Sequence, residues 1–540
     1  MRYWVAVAAV LAAATAAAQE PITSVTIGEN REFRVNGEPF LPIMGWLQGP
    51  ENLAKLDAVG INTITGYWWN DDEDNGAGGT TDAAEYRRLA EQAGLYFIPP
   101  YMPEHAEAMD ELAASDTVLA WIHDDEPDLP SRVSDAEITP GDGLKVNNGA
   151  PLWKILDGTT HTWSVIDPLE GAELTVRLKD QVTIEKLSVW LTVSPGLAVA
   201  KDVVLLGDGE EIVSATLENR KGAQEITLDG AASFRELTLK VVSTYPGEQV
   251  WGSVGEIEGF NAAGENVLLS PPRRVIRQQP NEAMEVYETV RAHDPTRPVL
   301  MTVTCFFIND DGAFDNWCTH EQAEELYPEL LKAADVPGFD VYPIYGWNRP
   351  EKLNWVDQGV RELRAYAGVG KPLYVWTETL AGGFGDKANP VTGLEMRNEV
   401  YQAIIGGATA IGYFTHRFKP TFSEFGVPEE NQAAMLEINQ QLARLAPVIL
   451  NGEPQRKASI TIAGDLDSRI MTREYEGDTY VFALNLDMDR REGEATVSLE
   501  GIEAGASVEV IDEDRTISAG EGQFTDAFAP LAVHIYRIRG

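Results

Sequence analysis

The feature that most constrains this chain is an alternation of two unlike patterns: short apolar strings rich in β-branched and aromatic residues, each followed by a stretch with helical spacing. The first four strings are "FLPIMGW", "INTITGYW", "LYFIPPY" and "TVLAWIHDDEPD", with "PENLAKLDAVG", "TDAAEYRRLAEQAG" and "AEAMDELAAS" as the helices between them. Short strands separated by helices pair in parallel through right-handed crossovers. The alternation returns with the helix "AMEVYETVRAHD" and the strings "PVLMTVTCF", "GFDVYPIYGW", "PLYVWTETL" and "ATAIGYFTHRF". Four strands before the gap and four after it predict an α/β chain built on a (β/α)8 TIM barrel.

The gap, residues 131–272, has a different period. Runs such as "AELTVRL", "IEKLSVWL" and "FRELTLKVV" alternate apolar and polar residues between Gly and Asp turns, which predicts an antiparallel β-sandwich inserted after strand four. A second all-β stretch, residues 452–540, contains "TYVFALNLD", "EATVSLEG" and "LAVHIYRI" and reads as a C-terminal β-sandwich. The barrel then takes residues 19–130 and 273–451. Residues 1–18 read as a signal peptide, because Arg2 precedes an apolar run that ends in Ala16-Ala17-Ala18 ahead of Gln19. The run is short for a bilayer span, so the expected location is secreted or periplasmic.

Charge narrows the partners. Asp and Glu total 85 against 42 Lys and Arg, a net charge of -43 over 540 residues, and a chain so acidic without a basic patch repels phosphate backbones and anionic membranes. Nucleic acid is therefore not an expected partner. Cys305 and Cys318, the only cysteines, allow either a disulfide in an oxidising compartment or two free thiols.

Polar residues at the C-terminal ends of barrel strands line the reactive face of such folds. Strand four ends in Asp124-Asp125-Glu126-Pro127 and strand seven in Trp376-Thr377-Glu378. Two carboxyls that converge across a barrel mouth can hydrolyse a glycoside, one protonating the leaving oxygen and the other attacking the anomeric carbon. The supporting residues suit sugar. Trp46 and Gln48 follow strand one, Trp68, Trp69 and Asn70 strand two, Tyr101 and His105 strand three, Tyr342, Tyr345 and Trp347 strand six, and His416 strand eight. Aromatic faces, Trp376 among them, stack on sugar C–H surfaces, and amides or carboxylates take the hydroxyls. No phosphate loop, zinc-protease helix or nucleophile elbow is present.

On these residues the barrel resembles clan A of the retaining glycoside hydrolases. The resemblance implies Glu126 as acid/base, Glu378 as nucleophile, a Tyr at the end of strand six that orients the nucleophile, a β-linked glycan substrate and no cofactor in catalysis. Asp125 stands where that clan usually has Asn, and His416 follows strand eight where Trp is more usual. The insert, from "WKILDGTTHTWS" with Asp157, Gly158 and Trp163 to "GSVGEIEGF" with Glu256, is similar to discoidin-type family 32 carbohydrate-binding modules. Some of those modules bind glycans and hold a structural calcium, whereas others are spacers. The alternative to an enzyme is a glycan-binding or extracellular adhesion protein on a degenerate glycosidase barrel.

Overall fold

The computed structural model describes residues 19–66, 83–147, 150–271, 273–310, 312–315, 317–380, 389–419, 421–452 and 456–540. The residues of the expected signal peptide lie outside them. Contacts divide the chain into two compact units, Met1–Leu129 with Arg277–Gly540, and Pro130–Ile276.

The first unit carries eight parallel strands: β1 (Ile43–Trp46), β2 (Thr63–Thr65), β3 (Tyr96–Ile98), β4 (Trp121–Ile122), β5 (Val299–Val303), β6 (Val336–Asp340), β7 (Tyr374–Glu378) and β8 (Ala410–Phe414). Their order is β3-β2-β1-β8-β7-β6-β5-β4, and isolated parallel bridges from Phe97 to Val118 and from Pro100 to Ile122 join the two ends into a nearly closed ring. Helices α1 (Leu53–Ala58), α2 (Ala83–Gln92), α3 (Ala106–Ala113), α4 (Pro280–His293), α5 (His320–Leu330), α6 (Trp355–Ala367), α7 (Gly393–Ile405) and α8 (Glu429–Ile449) alternate with the strands. Capping boxes open several of them: Thr319 with Gln322 starts α5 and Thr392 with Glu395 starts α7, each satisfying backbone N–H groups that a helix start leaves free.

Period-two alternation sorts the barrel side chains into two cores. Met44, Tyr96, Ile98, Leu300, Tyr374 and Trp376 fill the ring, while Ile43, Phe97, Met301 and Val375 face the helices. A three-stranded antiparallel sheet, Val25–Ile27, Phe33–Val35 and Glu38–Phe40, adds Val25, Phe33 and Val35 to the inner core. The two large rings of β7 are accommodated by glycines directly across the ladder. Gly338 of β6 pairs with Tyr374, and Gly412 of β8 pairs with Trp376; a Cβ at either glycine would run into the facing ring.

The shortest strand, β4, has a separate anchor. Asp294 accepts from the indole Nε1 of Trp121 at 2.9 Å and from Arg297 at 2.9 Å, and Arg297 also donates to the carbonyls of Val118 and Ala113, both at 2.7 Å. This buried ion pair thus satisfies backbone oxygens at the end of α3 and in the segment leading into β4.

Also in the first unit, residues 458–538 form two antiparallel sheets of three and five strands. They share a core of Val481, Val497, Phe524 and Tyr536, consistent with a β-sandwich. The outer face of the five-stranded sheet meets α7, where Phe482 stacks on Tyr401 and Asn398 donates to the carbonyls of Asn485 and Leu531.

The strands of the second unit pair antiparallel, around a core of Leu174, Ile184, Phe234, Leu237 and Ile257. Its longest strands, Glu173–Leu191 and Gly222–Tyr245, shift register between Arg177 and Val182, the kind of break that lets a strand turn from one layer of a sandwich to the other. Cys305 and Cys318 are both free thiols. Among the described residues no helix is long and apolar enough to cross a membrane.

Gly412→Ala is expected to destabilise the protein by about 1–3 kcal/mol, because the added methyl must displace the Trp376 ring from a filled interior. A chemical denaturation series measures this, and an unchanged midpoint would show that the ring has room to move.

Candidate active site

At the C-terminal end of the ring a cavity of about 190 Å3 is lined by Trp46, Asp125, Glu126, Thr302, Asp340, Tyr342, Trp376, Phe414 and Phe418. The residues come from β1 and β4 to β8 and the loops that leave them. Trp46 and Trp376 meet edge to face at 5.3 Å, and Tyr342 packs on Phe414 at 4.9 Å. The Trp376 indole donates to Thr302 Oγ1 at 3.1 Å, and that hydroxyl also bonds the Tyr374 phenol at 2.7 Å. The walls are thus apolar rings fixed from beneath, and the polar groups facing the space are mainly carboxyls.

The exit of β4 presents those carboxyls by an unusual turn. Glu126 has a φ of 47°, a left-handed conformation that costs a non-glycine residue free energy and persists only where its surroundings impose it. Asp128 supplies that constraint. Wholly enclosed, its carboxylate accepts from the Thr304 backbone N–H at 2.9 Å, the Thr304 hydroxyl at 2.5 Å and the Tyr327 phenol at 2.6 Å. Glu126 N–H donates to the carbonyl of Thr302 at 3.2 Å, and Arg277 donates to the carbonyl of Asp125 at 3.0 Å. The turn is therefore tied to β5, α5 and the entry to α4.

Withdrawal from water dominates the electrostatics. Burial pushes the Glu126 carboxyl up to about 7, with the charges of Asp125 and Asp128 adding to the effect and a hydrogen bond to Asp340 opposing it. Asp125 is raised to about 6 by burial, against the pull of the Arg277 guanidinium. Asp340 is held well above the ordinary carboxylate range by burial and then by Glu126. Two carboxyls in hydrogen-bond contact with so little water share a proton.

Glu378 occupies a different environment. It is 0% exposed and does not line the cavity. Its Oε1 accepts from Ile344 N–H at 2.8 Å and its Oε2 from Tyr345 N–H at 2.5 Å. Burial raises it to about 7, opposed by a hydrogen bond with Glu399 of α7 and by the two amides.

Of the other residues singled out in the sequence, Trp46, Asp125, Tyr342 and Trp376 line the cavity with Glu126, and the rest that are described do not. Gln48 is buried, its amide donating to the carbonyls of Trp46, at 2.9 Å, and Glu424, at 3.0 Å. Tyr345 bonds the carbonyl of His416 at 3.1 Å, and His416, kept neutral by burial, bonds the carbonyl of Leu47 at 2.7 Å. Tyr101 packs on Trp121 and His293, and Trp347 on Phe306, Phe314 and Trp355. His105 closes a short helical turn, Pro103–His105. Trp68, Trp69 and Asn70 lie outside the described residues.

The sequence reading missed Asp340, Thr302, Phe414 and Phe418. Asp340 was within reach, since it closes β6 and the strand-end rule that selected Glu126 applies equally to it. A second cavity, of about 240 Å3, is lined by Glu29, Arg31, Thr409 and Arg473 among others; it opens beside the start of β8 and holds one carboxyl, not a set.

In the second unit, Gly158 N–H donates to Glu256 Oε1 at 2.9 Å, while Glu256 Oε2 is buried without a hydrogen-bond partner. Burial pushes this carboxyl up to about 8, with Asp157 adding to the shift and the Gly158 amide opposing it. An orphaned buried carboxylate oxygen beside a second carboxylate fits a cation. Among the described residues no group of three or more His, Cys, Asp or Glu side chains has a metal-binding arrangement, so backbone or hydroxyl oxygens would complete any such shell.

No family model matches the chain, and no curated protein matches it. Solved structures resemble parts of it. A family 32 carbohydrate-binding module of Clostridium perfringens NanJ, in complex with galactose, is 13% identical over 24% of this chain and 97% of that one, with a TM-score of 0.20. The module of Streptococcus pneumoniae EndoD is 18% identical over 24% and 99%, also at 0.20. An Anoxybacillus alpha-amylase is 13% identical over 49% of this chain and 57% of that one, at 0.34. Likenesses this partial leave the chemistry to the site itself.

Because its carboxyl binds a proton more tightly in the folded chain than in the unfolded one, Glu126 contributes stability below about pH 4.5 that is lost as pH rises through about 7. Glu126→Gln removes that loss. Relative to the parent the variant is expected to gain stability across this window, by an amount on the order of 3 kcal/mol at the upper end; parallel unfolding curves at pH 4.5 and 8 measure it, and a constant difference would contradict the raised carboxyl.

Proposed function

We propose that this protein is a glycoside hydrolase in which Glu126 protonates the departing oxygen of a sugar bound against Trp46, Trp376 and Phe418. The observation that carries the reading is a carboxyl on a strained turn, inside an aromatic-lined cavity and beside Asp340, where burial pushes it up to about 7. That combination suits a general acid whose proton is matched to the working pH. Asp340 is the cavity carboxyl in hydrogen-bond contact with Glu126. Once a substrate separates it from Glu126 it ionises and faces the positive charge that develops at the anomeric carbon, where a fixed negative group lowers the barrier. Asp125 can only accept hydrogen bonds when ionised, and so favours a sugar hydroxyl as its partner.

Double displacement on a β-linked glycan, with Glu378 as nucleophile, is the form of the reaction that the resemblance to clan A implies. It requires the Glu378 carboxylate to exchange its two backbone amides for the anomeric carbon. Asp340, already in the cavity, favours attack from β6 instead. In the second unit, Asp157 and Glu256 would hold a calcium ion in a structural role, and exposed Trp163 offers a face for glycan stacking. Export to the periplasm or the medium, where polymeric glycans are met, agrees with the leader-like N-terminus.

Glu126→Gln is expected to lower kcat by about 10²–10⁴-fold on unactivated substrates, the range for loss of a general acid, in an assay over β-linked polysaccharides and aryl glycosides. Glycan retention without turnover by the parent protein would identify a binding protein instead. A 2-deoxy-2-fluoro glycoside identifies the nucleophile: we expect label on Asp340, label on Glu378 would support the clan A assignment, and an unlabelled enzyme that gives inverted product would make water the attacking group.

A further inference from the structure

α7 buries four polar side chains, and three of them have evident reasons to be there. Glu395 caps the helix through Thr392 and pairs with Arg490 at 2.6 Å, Asn398 bridges to the C-terminal sheets, and Gln402 bonds the carbonyl of Leu353 at 3.1 Å and the backbone N–H of Asp357 at 2.9 Å. Glu399 differs. It is 0% exposed, its Oε1 has no hydrogen-bond partner, and its bonds are to Glu378, backbone and side chain. A buried carboxyl with one oxygen unpartnered and another carboxyl beside it is costlier than an apolar residue of the same volume.

We propose that Glu399 is a positioning residue: it keeps the single proton of the Glu378–Glu399 pair and donates it to the Glu378 carboxylate, which is thereby clamped on the backbone amides of Ile344 and Tyr345. The surroundings leave little alternative. Glu395, itself paired with Arg490, and the phenols of Tyr342 and Tyr413 lie within electrostatic reach of the pair. Two fully buried carboxylates in contact repel, so one proton stays. Burial and the neighbouring Glu378 charge hold Glu399 well above the ordinary range, as this arrangement requires.

The clamp reaches the cavity from two sides. Ile344 and Tyr345 follow Asp340 and Tyr342 on the exit of β6, and both of those line the cavity. The Tyr345 phenol accepts from the backbone N–H of Phe418 at 3.3 Å, so the β8 wall is tied to the same turn. The protonation of the pair is independent of the reaction catalysed; only its effect on rate rests on the glycosidase reading.

Two variants of the full chain test it, with the thermal midpoint as the folding control. Infrared difference spectra between the parent and Glu399→Gln at neutral pH should show loss of one protonated-carboxyl band, since the amide donates the same hydrogen bond without carrying a titratable proton. A carboxylate band lost in its place would overturn the assignment. On a substrate the parent turns over, Glu399→Leu, which fills the volume without donating, should lower kcat by about 10²-fold with little change in KM, the scale of a misplaced reactive group, while Glu399→Gln should lose no more than about threefold. Equal losses in the two variants, or full activity in Glu399→Leu, would overturn the positioning role. Should the parent hydrolyse no glycoside, the spectra still decide the protonation of the pair, and the two readings fail separately.

Discussion

Removing carboxyl groups from water is the interaction on which the candidate site depends. Asp125, Glu126, Asp128 and Asp340 gather at one end of the ring, and Arg277 is the cation that acts on Asp125 and Glu126. Charge repulsion, with lost hydration at Asp128 and in part at Glu126 and Asp340, would drive four such anions apart. They coexist because the protein answers each differently. Asp128 is surrounded by donors from Thr304 and Tyr327, Asp125 leans on Arg277, and Glu126 and Asp340 solve the problem by keeping a proton. A carboxyl that stays protonated near neutral pH is what acid catalysis needs, so the cost of burial and the capacity for chemistry have one origin.

The scaffold makes that burial possible by leaving no slack beneath it. Gly338 and Gly412 sit opposite Tyr374 and Trp376, letting two large rings fill a ring of short strands, and Thr302 fixes both rings through hydrogen bonds. The cavity floor is therefore rigid. Its upper wall is built from strand exits tied to one another: β4 to β5 through Asp128, and β6 to β8 through Tyr345. Strain at Glu126 is tolerated because these ties hold both ends of its turn.

Much of the fold was legible in the sequence. Period-two strings and helical spacing located the eight strands, and residues 130–276 form a compact unit of their own. The same rule placed Glu126, Trp46, Tyr342 and Trp376 at strand ends, and all four line the cavity. It did not separate residues that face the cavity from those that support it. Gln48, Tyr345 and His416 sit two or three positions from cavity residues, yet each turns to bond a neighbouring backbone. Asp340 closes β6 and was open to the same strand-end rule.

The sequence by itself determined element type, inward or outward facing, and the end of the ring at which polar groups collect, because each follows from backbone periodicity over a few residues. Tertiary structure alone decided which carboxyls meet. Glu126 is separated from Asp340 by more than two hundred residues, and Glu378 turns toward the amides of Ile344 and Tyr345 rather than the cavity. Those choices depend on loop path, on the donors within reach and on how far each group is removed from water. Desolvation is a property of everything packed around a carboxyl, and no stretch of chain carries it alone.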